Sequence, residues 1–138
     1  MARIIAIDYG GKRCGIAVTD PMQIIATGLA VVGSQELMAF LKDYTTKETI
    51  ERFVVGEPKR LDNTPAQSAE MVANFVKHLQ RTFPDIPVEM IDERFTSKIA
   101  TQSMLLSGMK KKDRQQKGNV DIISATIILQ SYLEKAGK

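Results

Sequence analysis

At 138 residues, with 43% hydrophobic and 25% charged side chains, the chain has the composition of a single soluble domain, residues 1–138, able to bury its own core. One cysteine, Cys14, excludes an internal disulfide or a cysteine-based zinc cluster. No apolar run reaches membrane-spanning length and the N-terminus lacks a signal-peptide pattern, so a cytoplasmic protein with no membrane partner is expected.

The net charge of +3 is unevenly spread: Lys110, Lys111, Lys112, Arg114 and Lys117 against Asp113 give one segment +4 and leave the rest at −1. Such a basic stripe suits a polyanion met at one place, or an ordinary solvated loop.

Arg3 to Ile7 is almost wholly apolar, the pattern of a strand covered on both faces. Asp8-Tyr9-Gly10-Gly11-Lys12 is turn chemistry, Arg13 to Thr19 reads as a second strand, Asp20-Pro21 as a turn, and Ile24 to Val32 as a third strand. Three strands joined by short turns imply an antiparallel meander. Ser34 is a candidate N-cap for a helix burying Leu37, Phe40, Leu41 and Tyr44.

Arg52 to Val55 is a short strand closed by Gly56-Glu57-Pro58. Thr64-Pro65-Ala66-Gln67 opens a helix carrying Ala69, Val72, Val76 and Leu79 inward and stopping near Pro84. Val88 to Ile91 is a fifth strand. A helix opens near Thr96 and ends at Gly108, and Val120 to Leu133, apolar almost all round, is a buried final helix. The result is an α/β chain with a mixed five-stranded sheet, a three-strand antiparallel meander plus two parallel strands, with helices packed on it.

Three places concentrate acid. Asp8 ends the first strand, where lost hydration must be offset by a cation or by turn amides such as those of Gly10 and Gly11. Asp92-Glu93 follows the fifth strand, and alternation lets only one of the two face Asp8. Asp121 sits in the first turn of the final helix, on the side of Ser124, Ala125 and Ile128; favourable charge at a helix N-terminus explains an exposed aspartate there well and a buried one less well. If the three converge at the carboxyl ends of the strands, their repulsion demands cations, and all-oxygen ligands suit magnesium or manganese. Two such ions about 4 Å apart would make the chain a phosphodiester hydrolase without a protein nucleophile.

The run Asp8-Tyr9-Gly10-Gly11-Lys12-Arg13-Cys14-Gly15-Ile16-Ala17-Val18-Thr19-Asp20 resembles the opening signature of the YqgF (RuvX) family of RuvC-like Holliday-junction resolvases. Val54-Val55-Gly56-Glu57-Pro58, Asp92-Glu93-Arg94-Phe95-Thr96, and Val120-Asp121 through Ala125 to Ile128-Leu129-Gln130 match in order. The resemblance implies a ribonuclease-H-like fold with helices on both sheet faces. It also implies a nuclease using Mg2+ or Mn2+, with Asp8, Glu93 and Asp121 as catalytic and metal-binding acids. Lys12, Arg13 and Arg94 would lie near phosphate, with the basic segment as further nucleic-acid contact. Members are assigned Holliday-junction resolution or maturation of the 5′ end of the 16S ribosomal RNA precursor.

Cys14 and Glu57 depart from the family pattern. Cys14 is expected to pack as a small hydrophobe, and Glu57, which ends a strand, either to add charge beside the site or, the preferred reading, to lie in a flexible loop. His78, among Lys77, Gln80 and Arg81, reads as solvent-exposed and Asp20 as a turn former.

The leading expectation is a nuclease for structured RNA in 5′ maturation of pre-16S rRNA, with ribosomal precursor particles as partners and the chain a monomer or weak homodimer. A Holliday-junction resolvase would need a dimer to make two symmetric cuts. A non-catalytic nucleic-acid or ribosome-binding module would bind through the basic segment without metal. An actin-like ATPase or sugar kinase shares the Asp-then-glycine opening but needs a second lobe.

Overall fold

The structure is a computed structural model and describes residues 2–10, 12–57, 69–92 and 117–135. β1 (Arg3–Asp8), β2 (Arg13–Thr19) and β3 (Ala26–Gly33) form the expected antiparallel meander. β4 (Ile50–Glu57) joins β1 in parallel, and β5 (Val88–Asp92) joins β4 in parallel, giving the order β3-β2-β1-β4-β5. β1 is therefore central. Ile4, Ile5, Ala6 and Ile7 are each 0% exposed, which is what an uninterrupted apolar run requires when both faces are covered.

Strand alternation sorts the core into two layers. Ile5 and Ile7 of β1, with Phe53 and Val55 of β4, face α1 (Leu37–Lys47) and α2 (Ala69–Thr82). Ile4 and Ala6, with Ala17, Val54 and Ile91, face α3 (Lys117–Lys135). Helices thus cover both faces, as expected. In α2 the buried residues are Val72, Phe75, Val76 and Leu79, spaced three and four apart. Each such burial is worth roughly 1.5–3 kcal/mol, far more than helix propensity supplies.

One end of α3 lies over β3, where a Cβ on Gly28 would run into the Ile122 side chain. The other end lies over β4, where Arg52 Nη1 donates to the Tyr132 hydroxyl at 2.7 Å and to Glu89 Oε1 at 2.6 Å, with its guanidinium 5.7 Å from the Tyr132 ring centre. Arg52 Nε is buried without a hydrogen-bond partner. Glycine at one end and a polar clasp at the other set how the helix crosses the sheet.

Several boundaries differ from expectation for physical reasons. Ser34 does not cap α1: Glu36 holds that position without a side-chain cap, and the Ser34 hydroxyl donates instead to the Gly10 carbonyl at 2.6 Å. β3 begins at Ala26 because Asp20 captures the amides ahead of it; Oδ1 accepts from Ile24 and Ile25, both at 2.8 Å, and Oδ2 from Met22 at 3.1 Å. In that turn Gln23 adopts φ 59°, and its Nε2 donates to the Ala2 carbonyl at 2.9 Å. Glu57 is not in a loop, because pairing with β5 carries β4 through it. The expected start of α2 at Thr64–Gln67 and the helix from Thr96 to Gly108 lie outside the described residues.

Candidate functional site

Asp8 terminates the central strand. Its neighbours in β1 are fully buried, whereas Asp8 itself is partly exposed at the carboxyl edge of the sheet. It shares the parity of Ile4 and Ala6, so alternation directs it to the face crossed by α3. Across the antiparallel pair it stands opposite Gly15, which offers no side chain beside the carboxylate. Arg13, two residues from Gly15 on the same strand, shares that face and is partly exposed. A carboxylate, a side-chain-free neighbour and a guanidinium therefore share one face of one edge, an arrangement suited to a phosphate and its counter-cation.

The turn carrying Lys12 is held in place by main-chain chemistry. Ser34 N donates to the Lys12 carbonyl at 3.1 Å while the Ser34 hydroxyl takes the Gly10 carbonyl. A Cβ on Gly10 would meet the Arg13 carbonyl oxygen at 2.5 Å, so the turn closes only around glycine. Lys12 is exposed at its tip. Cys14 is fully buried, its Sγ 3.8 Å from the Gly10 carbonyl and 3.7 Å from Ser34 Oγ, and it packs as a small hydrophobe as expected. Tyr9 follows Asp8 and packs on the opposite layer against Phe75; burial, then the neighbouring Cys14, raises its phenol above the ordinary value.

The other expected acids divide. Asp92 ends β5 in register with Glu57, and Glu93 lies outside the described residues. Glu57 has the parity of Phe53 and Val55, so it belongs to the layer of α1 and α2 and does not join Asp8. Asp121 lies within α3, four residues before Ala125 and seven before Ile128, both buried against the sheet. Because α3 begins at Lys117, Asp121 falls beyond the first turn, which weakens the reading of it as a simple helix-terminus charge. Among the described residues no three acidic, histidine or cysteine side chains gather tightly enough to enclose a metal ion. Arg94, Lys110, Lys111, Lys112 and Arg114 lie outside the described residues, while Lys117 opens α3.

Asp20 shapes the turn, as expected, and His78 is exposed on α2. Sequence reasoning missed Gly15 and Ser34. Gly15 carries no signal beyond its spacing from Asp8, and the Ser34 contact joins segments 24 residues apart. No helix among the described residues is long and apolar enough to cross a membrane.

Sheet order, helix placement and the partly exposed acid at the end of the central strand define a ribonuclease-H-like fold of the RuvC type. RuvC of T. thermophilus, solved in complex with a Holliday junction substrate, superposes with a TM-score of 0.61 over 99% of this chain and 97% of its own, at 13% identity. The fowlpox virus Holliday junction resolvase gives 0.58 over 97% and 99%, at 12% identity. At such identities the likeness is one of fold.

Within that class the chain belongs to the RuvX family, described as Holliday junction resolvase, whose model matches residues 2–135. A protein of Flavobacterium psychrophilum is 55% identical over 98% of both chains, and one of Christiangramia forsetii 56% identical over 96% of this chain and 98% of its own. Both carry the name "Putative pre-16S rRNA nuclease".

Proposed function

We propose that the chain, acting as a single cytoplasmic domain, is a metal-dependent nuclease that hydrolyses phosphodiester bonds in structured RNA, with the 5′ end of the 16S rRNA precursor as its substrate. The observation that carries this reading is Asp8: a partly exposed acid closing a central strand whose Ile4, Ile5, Ala6 and Ile7 are fully buried, opposite Gly15 and on the face of Arg13 and α3. Family membership and the names borne by relatives at 55–56% identity support the choice of chemistry and of RNA.

Asp8, Glu93 and Asp121 are the proposed metal ligands and catalytic acids. The family resemblance at Asp92-Glu93-Arg94-Phe95-Thr96 assigns the second acid to Glu93 and not to Asp92. An all-oxygen donor set fits magnesium or manganese, two ions at full loading. Such ions would neutralise the phosphodiester and make an attacking water acidic enough to react. Asp8 holds its carboxylate at a fixed edge of the sheet, and Arg13 and Lys12 draw phosphate towards it. Arg94, Lys110, Lys111, Lys112, Arg114 and Lys117 extend the contact along the RNA, which would let precursor ribosomal particles be engaged by a monomer or weak homodimer.

The test is cleavage of a 16S precursor RNA beside a four-way DNA junction, with magnesium, manganese or chelator. Metal-dependent cutting of the RNA that is lost in Asp8→Asn and Asp121→Asn is the expected result. Equal cutting by parent and variants would overturn the site. Paired symmetric cuts in the junction, with RNA intact, would establish a resolvase, and binding that survives chelation without product would establish a non-catalytic module.

A further inference from the structure

On the α1/α2 side of the same sheet edge, Tyr9 and Phe75 stack with ring centres 4.4 Å apart and planes 14° apart. They line an open cleft of about 750 Å³, with Met38 of α1 as a further apolar wall. Glu70, Asn74 and His78 follow one another at four-residue spacing along α2, so one helix face edges the cleft with a carboxylate, an amide and an imidazole. All three are exposed. The metal chemistry proposed above uses none of them, because alternation sends Asp8 to the other face.

We propose that this cleft binds an unpaired guanine base of the strand whose phosphodiester is cut at Asp8, a deepening that rests on the nuclease reading. Three features select that ligand. Tyr9 over Phe75, beside a methionine, offers a flat polarizable surface on which a base stacks. Glu70 at the rim repels phosphate, so a neutral group bearing N–H donors must enter. Guanine presents adjacent N1–H and N2–H donors that match the two oxygens of one carboxylate, leaving O6 and N7 to accept from the Asn74 amide or His78. Adenine and cytosine offer a carboxylate only an exocyclic amine. Tyr9 directly follows Asp8, so a strand rounding the sheet edge sets one of its bases in the cleft while a nearby phosphate meets the acid.

The test uses the full chain in chelator, so that no strand is cut. Uridine hexamers carrying one guanine, one inosine or one adenine are titrated by the anisotropy of an end label. Tyrosine fluorescence is followed in parallel, since the chain has no tryptophan and three tyrosines. The guanine hexamer is expected to bind roughly ten-fold more tightly than the inosine or adenine hexamers and to quench tyrosine emission. Glu70→Gln should close that gap, Asn74→Ala should narrow it, and Tyr9→Leu should abolish the quenching.

Tyr9 is partly buried, so its variant is read only if its melting curve matches the parent; the exposed Glu70 and Asn74 keep the test decisive without it. Equal affinity for the three hexamers, or a guanine preference that survives Glu70→Gln, would overturn the proposal. Metal-dependent RNA cleavage without guanine preference would overturn the cleft and keep the nuclease. Guanine-selective binding by a chain that cuts nothing would uphold the cleft as a base site and overturn the nuclease.

Discussion

The Ser34 hydroxyl donates to the Gly10 carbonyl at 2.6 Å, tying the end of β3 to the turn that leaves Asp8. The same residue's amide holds the Lys12 carbonyl, so the turn is gripped at two points two residues apart. Both grips fix where Lys12 and Arg13 stand relative to Asp8.

Ser34→Ala should therefore cost about 0.5–1.5 kcal/mol of stability and lower turnover more than it weakens RNA binding. Urea unfolding and a separate determination of kcat and KM check this. A variant that loses stability while keeping full turnover would show that the grip is structural only.

At Gly28, β3 lies directly against the Ile122 side chain of α3. Gly28→Val should drive a branched side chain into Ile122 and cost about 1–3 kcal/mol. Denaturant unfolding measures it. Because the strain falls on the helix that carries Asp121, metal-dependent activity should fall further than the fraction unfolded explains. Activity that simply tracks the folded fraction would separate the helix seat from the site.

At the other end of α3, the clasp gives an internal comparison. Tyr132→Phe removes the acceptor of the 2.7 Å bond and should cost about 1 kcal/mol. Arg52→Met keeps the buried stem, removes the unpartnered Nε and should destabilise less than Arg52→Ala, whose cavity is larger. If the two Arg52 variants melt together, packing of that stem does not matter.

Asp20 offers a pH dependence. The Ile25 amide first, with help from those of Ile24 and Met22 and against some desolvation, holds its carboxyl below the ordinary 3.8. A group with a depressed folded value stabilises the fold above the unfolded value and loses that effect as pH falls through the folded one. The melting-point gap between parent and Asp20→Asn should therefore be widest near neutrality and shrink as pH drops below 3.8. A gap that is constant down to acid pH would deny the carboxylate this role.

Much of the architecture was legible because burial leaves a periodic trace. The run Ile4 to Ile7 announced a strand covered twice, and Val72, Val76 and Leu79 announced the inner face of α2. Errors came where a polar group spends its hydrogen bond at long range. Ser34 looks like a cap until its hydroxyl finds Gly10, and Ile24 and Ile25 look like strand until Asp20 takes their amides. Glu57 looked like a turn because Gly56 and Pro58 flank it, yet a parallel partner over thirty residues away keeps it in the sheet. Of the site, Asp8 was visible from its place at the end of an apolar run, whereas Gly15 became visible only through register. The Tyr9–Phe75 cleft draws on three separate segments and leaves no contiguous sequence pattern.

The placement of α3 also sets an order in time. Asp8 is translated well before α3, and β1, β2 and β3 can pair as soon as they emerge, since their contacts are local. Among the described elements, the layer holding Ile4, Ala6 and Ala17 is covered by α3, which leaves the exit tunnel about a hundred residues later. A nascent chain halted before that point carries the first acid of the proposed site on an open sheet and lacks the helix that bears Asp121. Nuclease activity would then be withheld until translation of the helix is complete, so an unfinished copy could not cut the RNA of the particle making it.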